Sequence, residues 1–169
     1  MGSGMGSGTV SAVAPAVDLA EFRAAARDWL ATHAPASAGR SVDDVSVFSA
    51  LSFEEERAVL DLLRSWQRQK FEAGYGAITW PTEIGGAGLG PAHAAAYAAL
   101  ERAAVDLPRH ELMSVTVNLI APTVRMFGTD ELRSILLPGL LDGTLTACQL
   151  FSEPGAGSDL AGVATKGRR

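Results

Sequence analysis

Helix punctuation constrains this chain more than any other feature. Between residues 18 and 143 the apolar residues recur at helical spacing, in segments opened by capping residues or proline and closed by glycine or proline. Asp18 with Glu21 is a carboxylate version of the capping box, and Leu19, Phe22, Ala26, Trp29 and Leu30 follow before "HAPASAGR" ends the segment. Ser52 with Glu55 is a fuller capping box; Phe53, Leu60, Leu63 and Trp66 keep to one side of that second helix, and Gly74 stops it. Pro91 suits the first turn of a third helix, "PAHAAAYAALERAAV". Pro108 separates it from a fourth, "HELMSVTVNLIAPTVRMF", apolar on most of its circumference and therefore expected to be central. Thr129 caps a fifth whose first turn holds Asp130 and Glu131, as the helix dipole favours, and Pro138 and Gly143 end the helical region.

Beyond that point the period changes. "TLTACQLF" reads as a strand and "SEPGAGSD" as a tight loop. The expected fold is all-α, a helical bundle with a short C-terminal β segment. The expected organisation is a Gly-Ser-rich flexible segment over 1–16, a helical domain over 17–143, and the start of a β domain over 144–169.

Several function classes fall away. The net charge is −5 and 12 of the 14 cationic residues are Arg, scattered along the chain, so there is no basic footprint for nucleic acid or anionic lipid. Asn118, Pro122 and Arg125 interrupt the longest apolar run, leaving no membrane span. The single cysteine, Cys148, makes no internal disulfide; it is expected as a small core residue in a cytoplasmic protein. His33, His93 and His110 lack companions at ligand spacing, so no metal site is expected. From Gly86 and from Gly155 the glycine patterns place Pro91 and Leu160 where a dinucleotide fingerprint needs its third glycine. Ser158 lies outside any G-x-S-x-G elbow. That leaves Gln149 to Asp159, where exposed backbone N–H groups and the Ser152 and Ser158 hydroxyls suit either an ordinary turn or a planar, hydrogen-bonding ligand.

Three motifs carry a resemblance. "WPTEIGGAGL", "FGTDELRSILLPGLLDG" and "LFSEPGAGSDLA" occur in that order within residues 18–165, and together they resemble the flavin-dependent acyl-CoA dehydrogenases. The resemblance implies a helical N-terminal domain leading into a β-barrel middle domain and a C-terminal four-helix domain. It implies α,β-dehydrogenation of an acyl-CoA thioester: a base removes the α-proton, the β-hydride passes to N5 of FAD, and electrons leave through an electron-transfer flavoprotein. Gln149, Leu150, Phe151 and Ser152 match the stretch lying against the isoalloxazine ring, with the Ser152 hydroxyl near N5. Ser158 matches a position touching both flavin and acyl-CoA, while Gly155 and Gly157 let the backbone pass close to them. Gln149 departs from the family, which often has an aromatic or apolar residue there. Trp80, Pro81, Gly85 and Gly86 are expected to fix an access loop.

The family's base is a Glu of the C-terminal domain, so no catalytic residue is assigned in this chain, which ends at Arg169 after "ATKGRR". The expectation is a truncated dehydrogenase, inactive alone, with Leu150 and Phe151 exposed where a barrel would pack. The alternatives are one half of a split enzyme completed by a partner chain, or a helical interaction module; a homo-oligomer is also open.

Overall fold

The computed structural model describes residues 17–36 and 51–167. The expected Gly-Ser-rich segment over 1–16 lies outside them. Helix α1 spans Leu19–His33, α2 Phe53–Glu72 and α3 Pro91–Ala104. Helix α4, Glu111–Val115, passes without a break through a π-helical turn, Thr116–Ile120, into α5, Ala121–Phe127, and α6 spans Asp130–Asp142. Local chemistry explains the boundaries. The Ser52–Glu55 box is reciprocal: the Ser52 hydroxyl accepts from the Glu55 N–H at 3.3 Å and the Glu55 carboxylate from the Ser52 N–H at 2.9 Å. At Asp18 only the forward half forms, with the carboxylate accepting from the Ala20 and Glu21 N–H groups. Thr129 caps α6, and Gly143 ends it at φ +80°, a left-handed conformation that favours glycine. Pro138 lies inside α6; the partner it forgoes is the carbonyl of Ser134, an exposed residue.

Two apolar clusters form the interior. The first is aromatic: Phe22, Ala26 and Leu30 of α1 pack with Trp66 of α2, Ile78 and Tyr97 of α3. Trp29 stacks on Trp66 at 5.4 Å between centroids, and Tyr75 on Tyr97 at 4.8 Å. The Trp66 indole N–H donates to Glu101 at 2.8 Å, and Lys70 reaches the same carboxylate oxygen at 2.9 Å. The second is aliphatic: Ala77, Ala121, Leu137, Leu140 and Leu141, flanked by Phe71 and Trp80. Helix α6 lies against α2 and α5, and α1 against α3.

Three expectations change. The segment expected to be a central fourth helix buries only Thr116 and Ala121, while Met126 and Phe127 are 68% and 79% exposed. The expected strand over 144–151 does not form: among the described residues the only β pairing is the bridge between Glu153 and Ala156. A strand exists only through its ladder, and among the described residues no second segment pairs with this one. Cys148, expected in the core, is exposed for the same reason.

Candidate functional site

The site is built by how the chain leaves α6. Arg64 of α2 donates from Nε to the Gly143 carbonyl and from Nη2 to the Thr144 carbonyl, both at 2.9 Å, capping the helix end with a cation as its dipole favours. Buried Gln67, one turn on, donates from Nε2 to the Leu141 carbonyl at 2.7 Å. The Leu145 N–H reaches back to the Gly139 carbonyl at 2.8 Å. The last tether is Thr116, fully buried in the π turn, whose hydroxyl accepts from the Ala147 N–H at 2.9 Å.

After Ala147 the character changes abruptly. The backbone groups of Cys148, Gln149, Leu150, Phe151 and Ser152 make no hydrogen bond among the described residues. Leu150 and Phe151 are 89% and 65% exposed, and Gln149 and Ser152 are exposed beside them. The chain then folds on itself. Glu153 and Ala156 exchange N–H···O bonds of 2.9 and 3.0 Å, with Ala156 buried beneath the turn. The Glu153 carboxylate accepts from the Thr165 hydroxyl, from the Ala164 N–H at 3.0 Å and from the Thr165 N–H at 2.8 Å. Those bonds, the hydroxyl's first, hold its pKa below the ordinary carboxylate value. Ser152 precedes this clasped turn and Ser158 follows it, both exposed, and neither hydroxyl is bonded among the described residues. A Cβ at Gly155 or Gly157 would meet nothing within 4 Å, so the backbone there is open to a close approach.

The expected access loop is a packed one. The Ala87, Gly88 and Leu89 N–H groups return to the carbonyls of Ala77, Trp80 and Ile78 at 3.1, 2.8 and 2.9 Å. A Cβ at Gly86 would stand 2.1 Å from the Trp80 carbonyl oxygen. Arg125 lies over the Trp80 ring, 5.1 Å from its centroid. The histidines also have partners: His33 stacks on Trp29, His93 bonds the Val17 carbonyl, and His110 caps α4 while reaching Glu56 at 3.0 Å. Among the described residues, no group of three His, Cys, Asp or Glu is arranged to hold a metal ion, and no helix is long and apolar enough to cross a membrane.

Sequence reasoning missed Arg64, Gln67 and Thr116, which fix the approach to the loop. Their signals were faint: two polar residues one turn apart beside core Trp66, and one hydroxyl in an apolar run.

Residues 17–144 match the family model for the acyl-CoA dehydrogenase N-terminal domain. The chain belongs to the acyl-CoA dehydrogenase family. It is 38% identical over 152 residues to the acyl-CoA dehydrogenase IpdE1 of Mycobacterium tuberculosis, covering 88% of this chain and 36% of that protein. Among solved structures, the Tcur3481-Tcur3483 steroid ACAD is 30% identical with a TM-score of 0.58, over 88% of this chain and 35% of its own. The ChsE4-ChsE5 complex from Mycobacterium tuberculosis is 26% identical with a TM-score of 0.54, over 90% of this chain and 35% of its own. The chain thus spans about a third of the length of these acyl-CoA dehydrogenases. The family is FAD-dependent, and the donors here are of the kind a flavin ring's polar edge accepts from: a run of unbonded backbone N–H groups ending in the Ser152 hydroxyl, with the Ser158 hydroxyl beyond the turn.

Proposed function

We propose that this chain is the helical N-terminal part, over 17–143, of a flavin-dependent acyl-CoA dehydrogenase. In this reading Gln149, Leu150, Phe151, Ser152 and Ser158 are its contribution to the flavin and acyl-CoA site. The observation that carries the reading is the unbonded run from Cys148 to Ser152, set directly after a segment held by Arg64, Gln67 and Thr116. FAD, when bound, supplies the acceptor for the β-hydride. The run's N–H groups and the Ser152 hydroxyl donate to the ring's polar edge, where negative charge collects on reduction; fixed donors facing developing charge are the efficient form of electrostatic stabilisation. Leu150 and Phe151 would lie against the ring, and Ser158 would reach both the flavin and the acyl-CoA. The steroid ACAD among the similar structures favours a ring-bearing acyl group.

The α-proton needs a base from elsewhere in the assembly. Glu153 is held by Ala164 and Thr165, and Glu101 by Trp66 and Lys70. A complementing chain is favoured by the resemblance to the ChsE4-ChsE5 complex and by the exposure of Leu150 and Phe151. Electrons would pass to an electron-transfer flavoprotein, in the cytoplasm. The test is the visible spectrum of the chain after mixing with FAD and gel filtration, alone and co-expressed with a dehydrogenase chain that carries the base. Flavin co-eluting with either form, and lost in Ser152→Ala/Ser158→Ala, supports the reading. Flavin retention indifferent to those changes contradicts it.

A further inference from the structure

We infer that Thr116 is the positioning residue of the flavin loop; this rests on the function proposed above. Its hydroxyl carries one proton, and the 2.7 Å bond to the Leu112 carbonyl takes it. The lone pairs then face the Ala147 N–H at 2.9 Å, so one buried oxygen joins the helix to the residue before the free run. The contact to the Ala147 carbonyl, 3.3 Å, is longer and competes for the same proton. Thr116 stands at the junction of α4 and the π turn. The Ala121 N–H bonds the Thr116 carbonyl, five residues back, and this wider turn sits where the helix meets the exit from α6. Arg64 and Gln67 fix that exit only as far as Thr144, and no other side chain among the described residues bonds Ala147. Thr116 therefore decides where the run to Ser152 begins, and with it where the donors point. It is fully buried and acts through Ala147.

The test is amide hydrogen exchange on the full chain, with Thr116→Val, which keeps the shape and removes the hydroxyl, and Thr116→Ser, which keeps the hydroxyl. In Thr116→Val the Ala147 amide should exchange on the order of ten- to a hundredfold faster while the α6 amides keep their protection. Thr116→Ser should restore it. Unchanged exchange at Ala147, or equal loss across the whole domain, overturns the assignment. Titration of the same three proteins with FAD, followed by the flavin absorption band, should show about tenfold weaker binding for Thr116→Val and recovery in Thr116→Ser. If the wild type leaves the flavin band unmoved both alone and co-expressed with the base-bearing chain, the site reading fails, while the exchange result still decides the tether.

Discussion

Two faces of one turn of α2 look onto different kinds of interior. Around Trp66, the aromatic cluster of α1, α2 and α3 closes on itself: rings stack on rings, and the indole N–H has a carboxylate partner. Around Arg64 and Gln67, the aliphatic cluster beneath α5 and α6 is equally buried, yet the chain emerging from it carries Leu150 and Phe151 into the open, with Met126 and Phe127 exposed on α5. The first region spends its apolar side chains on stability, whereas the second uses polar tethers to hold an unsatisfied segment in place. Burial alone does not separate scaffold from site here. The separation lies in where hydrogen bonding stops, at Ala147.

The largest expected effect falls in the closed region. Trp66→Ala should cost about 3–5 kcal/mol, read from the urea midpoint, because it removes a stacked, buried ring and leaves Glu101 with Lys70 alone of its two partners. A loss below about 1 kcal/mol would break the comparison. Next comes Gly86→Ala, where the new Cβ would meet the Trp80 carbonyl at 2.1 Å; overpacking of this kind costs about 1–3 kcal/mol. Leu150→Ser should leave stability within about 0.5 kcal/mol of wild type and weaken flavin binding. A core-like loss there would mean that the run packs on the bundle.

The smallest effect near neutrality is that of pH, which reaches the two regions from opposite ends. Hydrogen bonds depress the Glu153 pKa in the folded chain, so its clasp on Ala164 and Thr165 is intact above the ordinary carboxylate value of 4.5 and opens as pH falls through the lowered one. Burial first, then Glu101 and Tyr75, raise the Tyr97 pKa above its ordinary 10. The unfolded chain therefore ionises first, and the stability Tyr97 contributes is lost as pH rises past 10 towards the raised value. NMR titration should show Ala164 and Thr165 amide shifts at the acid end alone, and loss of the aromatic cluster's dispersion at the alkaline end alone.

What could be read in the sequence was what nearby residues decide. Ser52 with Glu55, Pro91, Thr129 and Gly143 mark helix ends through bonds or backbone preferences a few residues long, and all four mark ends in the structure. The acyl-CoA dehydrogenase motifs were legible as a pattern and gave the family. The features missed are bonds between distant positions. Arg64 meets Thr144 across 80 residues, Gln67 meets Leu141 across 74, and Thr116 meets Ala147 across 31. The strand failed for the same reason: the β-prone residues of "TLTACQLF" describe a preference, while its realisation needs a ladder partner. Cys148 then had nothing to be buried against.

The central claim is that Gln149 to Ser158 meet the flavin. The most direct measurement is a titration of the isotope-labelled chain with FAD, following backbone amide shifts, which registers contacts too weak to survive a column. The account predicts shifts concentrated at Gln149, Leu150, Phe151, Ser152 and Ser158, with the amides around Trp66 and Tyr97 unmoved. Silence across 149–158, or shifts centred on the aromatic cluster, would contradict it.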